Sequence, residues 1–153
     1  MSAVHVLERS QRVGLPRERA FEFFADAHNL ERITPPWLAF SVLTPAPIEM
    51  REGALIEYRL RLHGAPVHWR TRIDVWEPPL RFVDRQLSGP YALWEHTHLF
   101  EPAGEGATTI RDVVRYSLPL GPLGELARRL LVKRDVERIF DYRREAVRDL
   151  MGD

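Results

Sequence analysis

The chain contains no cysteine, which excludes disulfides, thiol nucleophiles and thiolate metal sites. It also has no excess charge of either sign, because its 22 basic and 22 acidic residues cancel. Without a net field, nucleic acid is not an expected partner. No apolar run is long enough to span a bilayer, and residues 1–13 lack the basic and apolar regions of a secretory signal. We therefore expect a cytoplasmic protein with no nucleic-acid partner and no stable membrane association.

The length and the hydrophobic content are those of an ordinary globular protein. With 153 residues, of which 44% are hydrophobic, the chain is long enough to bury a core and to surround a cavity. We expect one domain that covers residues 1–153.

Apolar alternation and turn residues predict a first strand, two short helices, six further strands and one long terminal helix. The first helix opens at Leu15-Pro16, where proline is tolerated, and the second starts at Asn29 and stops before Pro35. Short turns rich in glycine and proline favour antiparallel neighbours. The predicted strands are 4–13, 40–44, 54–63, 67–77, 80–88, 91–101 and 107–118, and the terminal helix covers about 121–151. This order predicts an α+β fold in which a curved antiparallel sheet of about seven strands packs around the terminal helix and leaves room for a cavity.

The strand 91–101 carries an unusual face. Alternation places Trp94, His96, His98 and Phe100 on the same side of this strand. Large aromatic rings beside two groups that titrate near neutral pH are typical of a pocket wall rather than of a plain core.

Neighbouring strands add polar and aromatic candidates for the same pocket. Each mixes polar and apolar residues on one face, so Asp84 and Asp112 can face either the cavity or solvent. The large ring of Trp69 can serve equally in a core or in a pocket wall. The candidate ligand-binding residues are Trp69, Asp84, Gln86, Trp94, His96, His98, Phe100, Asp112, Tyr116 and Arg143.

One register of the last two strands pairs an imidazole with a carboxylate. It sets His98 opposite Asp112, and Trp94 opposite Tyr116. A carboxylate beside an imidazole raises the histidine pKa and can orient the ring as a general acid or base. His98 and Asp112 are therefore the catalytic candidates, and the alternative is a structural hydrogen bond.

The same histidines have the chemistry of metal ligands. His96 and His98 could supply two ligands and Asp112 a third, but no further histidine falls in a matching pattern. The sequence therefore predicts neither a metal nor a cofactor.

Arg143 falls near the centre of the apolar stripe of the terminal helix. A buried arginine needs an acidic partner, and Asp84 and Asp112 are the candidates. Such a pair is either a structural ion pair or an anchor for a ligand carboxylate.

Five segments together carry a resemblance to a known superfamily. They are ITPPW (33–37), RFVDRQLSGPY (81–91), WEHTHLFEP (94–102), IRDVVRYSLPLGPLG (110–124) and RIFDYRR (138–144). With this order of elements the chain resembles the START-like or SRPBCC superfamily, and within it the small bacterial ligand-binding domains related to polyketide cyclases and dehydrases. The resemblance implies a helix-grip fold and a hydrophobic cavity for a lipid, polyketide-like or aromatic ligand.

Three functions are compatible with these observations. The first is a small-molecule binding protein without catalytic activity. The second is a cyclase or dehydratase that uses His98 and Asp112 for proton transfer. The third, implied by the resemblance, is a partner-binding module like the co-chaperones of the superfamily.

Overall fold

The computed structural model describes residues 3–153, and its elements follow the predicted order. The strands are β1 (His5–Val13), β2 (Ser41–Val42), β3 (Leu55–Leu62), β4 (Ala65–Glu77), β5 (Arg81–Ser88), β6 (Leu93–Pro102) and β7 (Thr108–Ser117). The helices are α1 (Arg17–Ala25), α2 (Leu30–Ile33), α3 (Gly121–Ala127) and α4 (Lys133–Met151). Turns of 3₁₀ helix at Ala27–Asn29 and Pro36–Leu38 flank α2, and a π-helical stretch at Arg128–Val132 joins α3 to α4.

The seven strands form one antiparallel sheet in the order β1-β7-β6-β5-β4-β3-β2. The sheet is curved, and with the long terminal helix it confirms the predicted α+β helix-grip fold. The predicted register of the last two strands is also confirmed, since His98 lies opposite Asp112 and Trp94 lies opposite Tyr116. The inward faces of β6 and β7 are therefore the faces that alternation predicts.

A bulge in β4 changes which residues face inward. Trp69, Thr71 and Ile73 are buried, in line with period-two alternation. The register against β5 then shifts between Ile73 and Val75. Because a bulge adds one residue, Trp76 instead of Val75 turns inward, where its ring packs 5.1 Å from that of Phe21.

Helix α4 lies in the concave side of the sheet. Its buried residues recur at helical spacing and form the stripe that contacts the strands; they are Val136, Phe140, Val147 and Met151. Polar contacts fix its outer side to β1, where Arg9 donates to Asp141 over 2.6 Å and Gln11 donates to the carbonyl of Arg144 over 2.7 Å. No helix within residues 3–153 is long and apolar enough to cross a membrane.

Candidate ligand-binding site

A cavity of about 160 Å³ lies between α2, α4 and the concave face of β3–β6. Its wall is mostly apolar, with a few polar side chains on one side. The lining residues are Leu30, Ile33, Thr34, Leu38, Phe40, Tyr58, Leu60, Leu62, Trp69, Thr71, Asp84, Tyr91, Trp94, His96, His98, Ile139, Phe140 and Arg143. Few polar groups on an apolar wall are typical of small-molecule sites.

Aromatic rings form one end of the cavity. The rings of Trp69 and Trp94 meet edge to face with their centroids 5.5 Å apart. Tyr91 packs against both, at 5.6 Å from Trp69 and 4.8 Å from Trp94. Tyr58 lies beside this group, and burial raises its pKa and that of Tyr91 above the ordinary value, so both phenols stay neutral. Such interlocked rings give a rigid, flat-sided wall.

Ionisable side chains form the other end. We call the buried set Asp84, His96, His98, Asp112 and Arg143 the polar cluster. Its side chains are between 3% and 19% exposed. All of them line the cavity except Asp112, which lies behind the two histidines.

The hydrogen bonds of the polar cluster run diagonally across the strands. Asp112 is directly opposite His98, yet it accepts from His96 Nε2 over 2.8 Å, while its distance from His98 Nδ1 is 3.6 Å. Asp84 is directly opposite His96, yet its Oδ2 is 2.6 Å from His98 Nε2. His98 and Asp112 are therefore cross-strand neighbours, as predicted, but they do not share a hydrogen bond. Twist of the sheet and the length of the side chains bring diagonal neighbours into contact instead.

These contacts define the protonation of His98. Arg143 has only donors, and its Nη2 lies 3.4 Å from His98 Nδ1, so that nitrogen accepts and Nε2 carries the proton given to Asp84. Burial and the nearby His96 and Arg143 hold the pKa of His98 well below its ordinary value. Asp112 does act to raise this pKa, as expected, but desolvation of the charged ring outweighs its effect.

The two carboxylates differ in their electrostatics. Burial raises the pKa of Asp84, although His96 and Arg143 oppose the shift. Burial acts on Asp112 in the same direction, but Arg143 at 3.2 Å and the hydrogen bond from His96 outweigh it and hold the pKa of Asp112 well below its usual range. Asp112 is therefore the predicted partner of Arg143, and Asp84 is the carboxyl that takes up a proton more readily.

Ring stacking holds the two histidines in place. The His96 and His98 rings stack at 3.6 Å, and the other face of His98 stacks on Phe82 at 4.0 Å. With hydrogen bonds at their edges and rings on their faces, the imidazoles are fixed in orientation.

Besides Asp112, three predicted site residues lie away from the cavity wall. Phe100 packs against Phe21 of α1 at 5.0 Å, since β6 passes under that helix there. Tyr116 is buried near His5, 5.7 Å between ring centroids. The amide of Gln86 donates to the Tyr91 carbonyl over 2.8 Å and accepts from its N–H over 3.1 Å, so it fixes the turn that presents Tyr91 to the cavity.

Several wall residues were not predicted. Tyr58 shares the inward face of β3 with Leu60, so alternation on that strand was a signal that could have found it. Tyr91 follows a turn, and its position depends on the contact with Gln86, which no local pattern reveals.

A second hollow adjoins the cavity at the protein surface. It measures about 310 Å³ and is lined by Trp37, Leu38, Leu62, His63, Gly64, Asp135, Arg138 and Ile139. Leu38, Leu62 and Ile139 line both spaces. The second hollow therefore borders the cavity between the turn before β2, the β3–β4 hairpin and α4.

A family profile described as polyketide cyclase / dehydrase and lipid transport matches residues 4–152. The chain belongs to this family. Its place in the START-like superfamily, predicted from the sequence, is thereby confirmed. Membership in the family, together with the cavity, indicates that the protein handles a hydrophobic ligand.

Solved structures share the fold across nearly the whole chain. The Zhui aromatase/cyclase from a Streptomyces species has a TM-score of 0.76 at 18% identity, over 95% of this chain and 92% of that one. A START superfamily protein from Mycobacterium smegmatis has a TM-score of 0.68 at 14% identity, over 96% and 99%. A protein from Thermus thermophilus has a TM-score of 0.62 at 26% identity, over 94% and 97%. No curated protein matches the sequence.

Proposed function

We propose that the protein binds a small, mostly apolar molecule that carries one ring and one polar substituent. The observation that carries this proposal is the composition of the cavity wall, which combines the interlocked aromatic rings with every member of the polar cluster except Asp112. The ring of the ligand packs against Trp69, Tyr91 and Trp94, and its polar group meets Asp84, His96 or Arg143.

The volume of the cavity supports a ligand of this size. An engineered apolar cavity of about 150 Å³ in another protein holds one benzene molecule, and the volume here is similar. A complete lipid or polyketide chain is larger, so such a molecule places only its end ring in the cavity. The remainder then lies in the outer hollow beside Trp37 and Arg138.

A matched pair of probes tests this proposal. 4-Methylphenol and 1,4-dimethylbenzene have nearly the same shape, but only the phenol makes hydrogen bonds. An unpaired buried polar group costs roughly 1–3 kcal/mol, so calorimetric titration should show binding of the phenol that is tighter by about fivefold to 150-fold. Asp84→Leu should reduce this preference to within a few-fold, whereas Asp74→Leu, on the outer face, should preserve it. Equal binding of the two probes, or no saturable binding of either, would overturn the proposal.

A second candidate function is a cyclase-type or dehydratase-type enzyme, and one observation favours it. Asp84 lines the cavity, its pKa is raised by burial, and its Oδ2 accepts from His98. A carboxyl with a raised pKa at a pocket wall is suited to general acid–base chemistry. Asp84, rather than the predicted His98 and Asp112, would then exchange the proton with the substrate.

Asp84→Asn separates the two candidates because it preserves shape and removes the ionisable group. For an enzyme, the substitution lowers turnover of a bound β-hydroxy ketone by orders of magnitude with little loss of affinity, as followed by loss of water in mass spectrometry. For a binding protein, the wild type returns the same compound unchanged.

A further inference from the structure

Two imidazoles and one carboxylate converge at the polar end of the cavity. Asp84, His96 and His98 each offer a potential ligand atom within 4.8 Å of the other two. Asp84 Oδ2 is 2.6 Å from His98 Nε2 and 4.0 Å from His96 Nδ1. Donors at 2.0–2.1 Å from one tetrahedral zinc ion are about 3.4 Å apart, a value between these two distances. A change of less than about 1 Å in each of these two distances would bring it to the spacing of zinc ligands.

The remaining nitrogens of the same two rings face one carboxylate. Asp112 Oδ1 is 2.8 Å from His96 Nε2 and 3.6 Å from His98 Nδ1, and Arg143 Nη2 holds that oxygen from 3.2 Å. A carboxylate behind a ligating imidazole fixes its tautomer and increases its basicity. Asp112, which the sequence offers as a third ligand, thus lies on the opposite side of the rings from Asp84.

We propose that Asp84, His96 and His98 bind a divalent first-row transition-metal ion. Two imidazoles with one carboxylate are a donor set that suits zinc or iron(II). The three residues line the cavity, so the remaining coordination positions face the space where the ligand lies. This inference goes beyond the proposed function, because ring binding does not require the ion.

The formal charge of the site indicates which kind of ligand group would bind at the open coordination positions of the ion. A metal-bound imidazole is neutral, so the formal charges of Asp84, Asp112 and Arg143 sum to −1 and a divalent ion changes the sum to +1. An anionic oxygen, such as a phenolate or carboxylate of the ligand, would restore neutrality. Coordination through His98 Nε2 would move its proton to Nδ1, where it would displace the contact from Arg143 Nη2 and be drawn toward Asp112 Oδ1, 3.6 Å away.

Cobalt(II) titration of chelator-treated protein tests the site. We expect one ion per chain with a visible absorption band, and at least 100-fold weaker binding in His96→Ala and in His98→Ala. Asp112→Asn should weaken binding by about 10-fold to 100-fold, because it removes the carboxylate behind the rings. His63→Ala is the matched control, since it removes another histidine–aspartate pair, 2.7 Å from Asp135, on the exposed surface.

NMR of the wild type provides a second readout of the metal site, which does not depend on whether the variants fold. Bound cobalt should broaden the imidazole NMR signals of His96 and His98 and leave those of His63 sharp. Absence of saturable binding, or binding that is lost with His63 rather than with His96 and His98, would overturn the proposal. If the metal fails while 4-methylphenol still binds, only this inference is lost.

Discussion

The two faces of the sheet carry ionic clusters that lie close together in the sequence but differ in their exposure to solvent. On the outer face, Arg85 contacts Asp74 at 2.9 Å and Glu95 at 2.5 Å, and Arg115 contacts Glu95 at 3.1 Å. We call these four residues the outer cluster; their side chains are between 19% and 48% exposed. The polar cluster occupies the inner face of the same strands, and Asp84 is the chain neighbour of Arg85.

The polar cluster requires a functional explanation, whereas the outer cluster does not. Cross-strand ion pairs on a solvated face are ordinary and contribute little to stability. Burying two carboxylates, an arginine and two imidazoles has a desolvation penalty that apolar residues would avoid. The polar cluster is therefore costly for folding, and its position at the cavity wall supports a role in ligand or metal binding.

Removal of an arginine from each cluster should give the largest difference between the two clusters in the free energy of unfolding. Arg143→Ala leaves two buried carboxylates without their cation, so it should lower the free energy of unfolding by about 3–5 kcal/mol. Arg85→Ala, in the outer cluster, should lower it by about 1 kcal/mol or less. Urea denaturation at pH 7 measures both.

A double variant separates the loss of the buried ion pair from the effect of leaving one buried charge without a partner. Asp112→Leu with Arg143→Met removes the pair together and should cost less than Arg143→Ala alone, since no charge of the pair stays unpartnered. Equal effects of Arg143→Ala and Arg85→Ala would contradict the distinction between the faces.

In the metal-free protein, pH should change the free energy of unfolding by an amount between those expected for Arg143→Ala and Arg85→Ala. The folded pKa of His98 lies well below 6.5, so between the two values the unfolded chain binds more protons than the folded one. The stability that depends on a neutral His98 is fully present above about pH 6.5 and falls by up to about 1.4 kcal/mol per pH unit below it. Urea denaturation from pH 7 to pH 5 should thus show a flatter profile for His98→Gln than for the wild type.

Two further variants control this pH experiment. His68→Gln, at an exposed position, should keep the wild-type slope. Asp84→Asn should steepen it at pH values below the raised pKa of Asp84, because there the folded state binds the extra proton and so acts in the opposite direction. An unchanged slope in His98→Gln would show that His98 is not held neutral.

The smallest effect is expected in the outer cluster. Glu95→Gln should change the free energy of unfolding by less than about 1 kcal/mol, and 1 M salt should reduce the difference further by screening. Binding of 4-methylphenol should stay the same, because Glu95 lies on the face away from the cavity. A large loss of binding in this variant would place the site elsewhere.

The fold and the inward faces could be predicted because they follow local rules. Alternation placed His96 and His98 on one face of β6, and one of the possible registers set His98 opposite Asp112, as the structure has it. The partners could not be predicted, since Asp84 bonds His98 rather than its direct neighbour His96, and that choice depends on twist and on packing against Phe82 and α4. The cytoplasmic location and the partner-binding module stay predictions.

Contact between the polar cluster and the polar group of the ligand can be observed directly by histidine NMR. Adding 4-methylphenol to the isotope-labelled wild type should shift the imidazole signals of His96 and His98 saturably and leave those of His63 and His68 unchanged. Saturable binding that leaves His96 and His98 unperturbed would contradict the proposed contact.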